Sequence, residues 1–328
     1  MAIDAGTIYS SIRIKLDQLQ SDLNSVNTKL NNFTSQSKTR ASGFQGAWQA
    51  AFTAIGFAGV QAFQALLRAG RDAINVFSGF QQSMRNVQSV TGAVGEEFRV
   101  MEDAAKTAGE TTRFTARQAA DALYFLGSAG FSARQSVDAL NGVLQLAGAT
   151  QSDLATTAES VASIISQYSL EASDATRISN TFAAAIGNSQ ATMDKLTNAF
   201  RQVGPVAAGF GLSVEETTGT LQLLFNAGFR GQQAGRALKS AFADLASPTA
   251  NLRKVLGGLG IDLAKVNPET ENFADIIDVL ANSGATTSNI IDAFGKIAGP
   301  QLSVLIKQGG DAIRSYTCLL YTSPSPRD

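Results

Sequence analysis

The chain has 328 residues, 44% of them hydrophobic and only 16% charged, and its 26 basic and 27 acidic residues leave a formal charge of −1. It has no His, and its single Cys lies in the closing stretch 318–328, which reads as foreign to the gene product; without that stretch zinc and haem sites, cysteine nucleophiles and every triad with an imidazole base drop out. Without a long basic run it lacks the electrostatic footprint of a nucleic-acid binder, so no direct nucleic-acid site is expected. Abundant Ala, Gly, Ser, Thr, Gln and Asn point to helices that cover their surfaces with copies of the chain or with other partners. A chain this poor in cysteine has no disulfide framework, which fits assembly in a reducing cytoplasm.

The opening residues, MAIDAGTIYS, lack the basic then apolar layout of a secretory signal, and Thr7 to Ile14 alternates apolar and polar residues as a short strand would. Ile12, Leu16, Leu19, Leu23, Val26, Leu30 and Phe33 then follow at alternating spacings of four and three. That places all seven on one helical seam, which predicts a coiled-coil-like helix within residues 1–40 and an oligomer contact along it. The run lasts about three heptads, so an amphipathic helix packed on its own domain remains the alternative.

Residues 41–76 are expected to form an apolar helix. Between Arg40 and Arg68 lie 27 residues without a charge, and a helix of that length reaches across a bilayer core of about 30 Å. Gln45, Gln49, Gln61 and Gln64 weaken that reading. The ladder Ala50, Ala54, Ala58 and Ala62, with Gly59, instead suits close helix packing. A membrane-active helical protein inserting through residues 43–67 is the alternative function.

Residues 77–246 repeat one opening. Thr115, Ser132, Ser152, Ser173, Thr192 and Ser213 each precede a helix-like run, at intervals of 17, 20, 21, 19 and 21 residues. Thr115 with Gln118, Ser132 with Gln135 and Ser213 with Glu216 fit a capping box, and Gly127, Gly148, Gly187 and Gly228 are the expected stops. Each unit is one helix and a turn, too short to stand alone in water. The expected class is therefore all-α, an array of short capped helices packed into a helical domain. Shorter helices are expected over 247–317. The first is capped by Ser247 with Pro248 at its first position and closed by Gly257 and Gly258, and others run over 272–281, 288–297 and 301–308. Residues 318–328, CLLYTSPSPRD, read like a translated sequencing-library adapter, so the gene product is expected to continue differently beyond residue 317.

No catalytic, metal or cofactor site is expected. The pairs Glu96–Glu97 and Glu215–Glu216 point about 100° apart on a helix and suit solvated helix N-termini. Gly257 to Gly260 follows a helix and has neither the Lys nor the hydroxyl of a phosphate loop, so it reads as a helix end.

Three passages resemble the core of phage tail tape measure proteins: Phe77 to Leu140 with its FTARQAADAL opening and SAGF close, Gly211 to Leu245, and FGKIAGPQLSVLIKQG from Phe294 to Gly309. They occur in the family's order and cover roughly residues 77–313. The resemblance implies a virion protein of the tail lumen, present in several copies, which sets tail length and leaves when DNA is ejected. It implies tail tube and tail-assembly chaperone proteins as partners, contact with the host inner membrane in some members, and residence in the host cytoplasm before assembly.

Overall fold

The computed structural model describes residues 75–322 together with Ser21, Asn24 and Thr28. The strand reading at Thr7 to Ile14, the heptad seam Ile12 to Phe33, the Ala50 to Ala62 ladder and the 43–67 segment lie outside the described residues. The chain divides into two compact units, Met1–Gln82 and Ser83–Asp328. In the first, Ser21, Asn24 and Thr28 are helical and exposed, and the Thr28 hydroxyl donates to the Asn24 carbonyl at 2.8 Å.

Among the described residues the chain is all-α, without a strand. The elements are α1 (75–91), α2 (Glu96–Thr111), α3 (Ala116–Ser128), α4 (Ala133–Thr150), α5 (Leu154–Gln167), α6 (Ala175–Gly187) and α7 (Met193–Gly209). They continue as α8 (Val214–Asn226), α9 (Gly231–Ala246), α10 (Ala250–Gly258), α11 (Phe273–Asn282), α12 (Thr287–Gln308) and α13 (Gly310–Thr322).

Thr115, Ser132 and Ser213 form the expected capping boxes, and Thr192 caps α7 by accepting from the Lys195 N–H. Ser152 and Ser173 do not cap. The Ser152 N–H closes the preceding helix on Ala147 (3.0 Å), so the next residue, Asp153, caps α5 by accepting from the Thr156 N–H at 2.8 Å. Ser173 lies inside a 3₁₀ turn, Ala172–Asp174, that runs directly into α6. Asp153→Ala is therefore expected to cost about 1 kcal/mol of stability. Ser173→Ala at its exposed position should change it by less than about 0.5 kcal/mol, both read from circular dichroism melts.

The helix stops also differ from expectation. Gly127 and Gly148 are interior to α3 and α4. A Cβ on Gly127 would stand 2.5 Å from Cγ2 of Thr91, so this glycine serves the contact with α1. Termination falls to Gly130, Gln151, Ser169, Gly211, Gly228 and Gly260, all with positive φ, each followed by a residue whose N–H reaches back five positions along the chain. Phe131 to Leu126, Leu212 to Ala207, Phe229 to Leu224 and Ile261 to Leu256 are examples. The AGF sequences at 129–131 and 227–229 are thus helix ends whose apolar residue folds back on the preceding turn.

Packing follows a stagger. From α2 to α9 each helix packs against the helix two along, and α8 is enclosed by α6, α7, α9, α12 and α13. Phenylalanines tie these layers together. Phe182 of α6 lies 5.3 Å from Phe200 of α7, and Phe242 of α9 lies 4.8 Å from Phe273 of α11, centroid to centroid. Phe182, Phe200, Phe225 and Phe242 are fully buried, each worth about 1.5–3 kcal/mol relative to exposure.

The final helices correct the sequence reading further. Thr249, not Ser247, caps α10, accepting from the Leu252 N–H at 3.1 Å, because the Ser247 N–H closes α9 on Ala243. Gly257 and Gly258 remain helical, and Gly260 makes the stop. Asn272 caps α11 through the Ala274 N–H. The two helices expected at 288–297 and 301–308 are present as the two arms of α12, the first capped by Thr286, with the break between them at Gly295 (φ 71°, ψ −178°). That backbone favours glycine, and the second arm then folds so tightly that a Cβ on Gly299 would stand 2.7 Å from Ile291 Cα. Helix α13 extends through Cys318 to Thr322, into the adapter-like stretch.

Candidate functional site

The densest polar chemistry in the second unit surrounds α8. Eleven of its thirteen residues are buried, among them Glu215, Thr217, Thr218, Thr220 and Gln222. The threonines satisfy their hydroxyls locally: Thr217, Thr218 and Thr220 donate to the carbonyls of Ser213, Val214 and Glu216 at 2.7–2.9 Å. This local bonding lets a polar helix sit in a core without orphaned hydroxyls.

Glu215 departs from the sequence reading. It is 1% exposed rather than solvated, and Arg177 of α6 donates to its Oε1, as does the Thr181 hydroxyl at 3.2 Å. Arg177 also holds Asp174 at 3.0 Å. Burial alone would pull the Arg177 guanidinium down, but its hydrogen bonds to Glu215 and Asp174 outweigh this and hold it above its usual range. Glu216 stays at the surface end of the same turn, completing the Ser213 box and accepting from Asn272 at 2.9 Å. Glu96 and Glu97 are exposed at the start of α2, as expected.

Tyr168, at the end of α5, donates to Thr217 at 2.9 Å. Burial, reinforced by the nearby charges of Glu215 and Glu216, pushes its phenol well above the ordinary value of 10.0. A raised folded-state value means that the tyrosine's contribution is intact below pH ~10 and is lost as pH rises beyond it. Tyr168→Phe is expected to cost about 1 kcal/mol at neutral pH through the lost bond. It should also flatten the alkaline limb of a stability-against-pH curve from urea melts.

Two helix crossings depend on glycine. On α9, a Cβ on Gly231 would lie 2.2 Å from the Lys195 carbonyl oxygen, and one on Gly235 would lie 2.4 Å from the Ala199 oxygen. Backbone therefore meets backbone between α9 and α7. At α13, Gly310 donates to Asp278 Oδ1 at 2.7 Å, and a Cβ there would reach the Ala274 oxygen at 2.1 Å. Arg314, one turn on, bridges Asp275, Asp278 (2.9 Å) and Asp311 (2.7 Å), and these bonds, Asp275 foremost, hold it above the usual arginine range. Beside this cluster a cavity of about 530 Å³ opens between α8, α11 and α13, lined by Glu216, Asn272, Phe273, Asp275, Arg314 and Tyr321 among others.

Among the described residues no cluster of three or more His, Cys, Asp or Glu is placed to hold a metal ion. None of the described helices is long and apolar enough to cross a membrane, and residues 43–67 are outside that set. The seam and ladder residues are likewise outside it. Sequence reasoning missed the glycine crossing at α9, although the GQQAG spacing of Gly231 and Gly235 was there to be read. It misplaced Glu215 because its partner is 38 residues away.

These packing features fall within a recognisable relationship, since phage-related minor tail proteins match residues 102–301 as a family. The chain belongs to that family. A tape measure protein of Pneumococcus phage Dp-1 is 32% identical over 256 residues, 76% of this chain and 22% of that protein. A probable tape measure protein of Escherichia phage P2 is 24% identical over 234 residues, 71% of this chain and 28% of that protein. The chain thus spans about a quarter of the length of these curated relatives. No solved structure matches it. The match begins inside α2 and ends inside α12, so the family region takes in the staggered array, the Arg177–Glu215 pair and the glycine crossing.

Proposed function

We propose that this chain is part of a phage tail tape measure protein, a non-enzymatic scaffold that determines tail length and supports tail assembly and DNA ejection. The observation that carries the reading is the 32% identity to the Dp-1 tape measure protein across 76% of the chain. In this reading the protein occupies the tail lumen of the virion in several copies, after a period in the host cytoplasm. Its partners are the tail tube protein and tail-assembly chaperones. The heptad seam from Ile12 to Phe33 and the Ala50 to Ala62 ladder serve as contacts between copies.

A helix rises ~1.5 Å per residue, so 317 residues laid out as one helix would reach roughly 480 Å. The helices from α2 to α13 instead fold back on one another. This portion therefore acts as a packing and assembly region, and the measuring length resides in the rest of the intact protein. In-frame deletions across the full gene, with tails measured by electron microscopy, test this. Deletions outside the folded unit should shorten the tail in proportion to the residues removed, whereas deletions inside it should abolish assembly. Tails of unchanged length for every deletion would overturn the ruler role.

A further inference from the structure

Charge around the corner between α9 and α10 is one-sided. Residues 230–254 carry Arg230, Arg236, Lys239, Arg253 and Lys254 against Asp244 alone, a formal net of +4, and all five cations are exposed. None of them forms an ion pair among the described residues, and Arg253 donates to the Pro248 carbonyl instead. Both helices pack on α12, with Leu238, Leu245, Leu252 and Leu256 inward, so their charged residues face out.

The next stretch inverts the balance. Residues 262–278 carry Asp262, Glu269, Glu271, Asp275 and Asp278 against Lys265, a formal net of −4. Asp275 and Asp278 are engaged by Arg314, whereas Asp262, Glu269 and Glu271 are exposed and bridge to no cation. Two segments of opposite charge thus lie close in sequence and touch through Phe242 and Phe273, yet their charged side chains form no ion pair with one another within the chain.

We propose that they meet between copies, the acidic 262–278 stretch of one chain seating on the basic α9–α10 corner of the next. Such a contact is heterologous, joining unlike faces, so it builds a ring where the rotation between copies closes and an open chain where it does not. Charge complementarity of this kind sets orientation and speeds encounter. A nucleic acid is the poorer occupant, because the exposed stripe of α9 is Gln232, Arg236, Lys239 and Ala243 and offers no aromatic ring for bases to stack on. The proposal rests on the reading of the chain as a tail scaffold present in several copies, but its test does not involve tail length.

The test is sedimentation of the purified full chain at about 50 mM and about 0.5 M salt, where screening of exposed charges differs strongly. The low-salt weight-average mass is expected to rise with concentration to at least twice the high-salt value. Arg236→Glu with Lys239→Glu should abolish that rise, as should Glu269→Lys with Glu271→Lys. An equimolar mixture of the two variants should restore association to a pair, about twice the monomer mass, since the intact acidic stretch of the first then seats on the intact basic corner of the second. Misfolding could not produce that rescue. A mass insensitive to salt, or either variant alone behaving as the parent, overturns the proposal. So does a monomeric parent that binds a short DNA duplex by fluorescence anisotropy and loses that binding with Arg236→Glu and Lys239→Glu. Failure of the scaffold reading would appear separately, in the tail-length deletions.

Discussion

Gly235→Ala is expected to lower the thermal midpoint by roughly 2–12 °C, and Gly235→Leu to abolish a single cooperative transition. The added Cβ would stand 2.4 Å from the Ala199 carbonyl oxygen and 2.8 Å from its Cα. Both are backbone atoms inside α7, so no side-chain rotation relieves the clash, and α9 must lift from α7 along its whole buried face. Overpacking of this kind costs about 1–3 kcal/mol. A unit of this size loses about 2–4 °C per kcal/mol. Gly148→Ala is the control: it lies in α4 with nothing within 4 Å of the new Cβ, and there alanine should stabilise by about 0.4–1 kcal/mol. Melts followed by circular dichroism separate the two. Equal behaviour of Gly235→Ala and Gly148→Ala would show that α7 and α9 are not in backbone contact.

Arg177→Met should be the most destabilising polar substitution, at about 3 kcal/mol in urea melts at neutral pH. The cost arises at Glu215, which is 1% exposed and would be left with only the Thr181 hydroxyl beside it. Removing one member of a buried pair costs about 3–5 kcal/mol. The lower end applies because the Arg177 side chain is 41% exposed and water can follow its removal. Arg177→Met combined with Glu215→Met should recover most of the loss, since an apolar pair of similar volume no longer carries a desolvated charge. If the double variant is as unstable as the single one, the pair contributes by shape and not by charge.

Legibility in the sequence followed interaction range. The caps at Thr115, Ser132, Thr192 and Ser213 were readable because a cap involves residues within one helical turn. The failures at Ser152 and Ser173 are instructive for the same reason. Both sit where two helices nearly touch, and the preceding helix end or a 3₁₀ turn claimed the residue first. Glycine was harder to read. Gly127 and Gly228 look alike in sequence, yet one receives Thr91 across a helix contact and the other turns the chain with φ 89°.

By itself, the sequence determined the all-α class, the periodic openings of the array and the lack of imidazole chemistry, because these depend on composition and on contacts a few residues long. Only the tertiary structure decided that α8 is the enclosed helix, that Glu215 is a buried partner of Arg177, and that Gly231 and Gly235 let α9 lie directly on the backbone of α7. The last two of those facts join residues 38 and 36 positions apart. Which helix is enclosed depends on where all the other apolar faces find partners, and no local window of the chain contains that information.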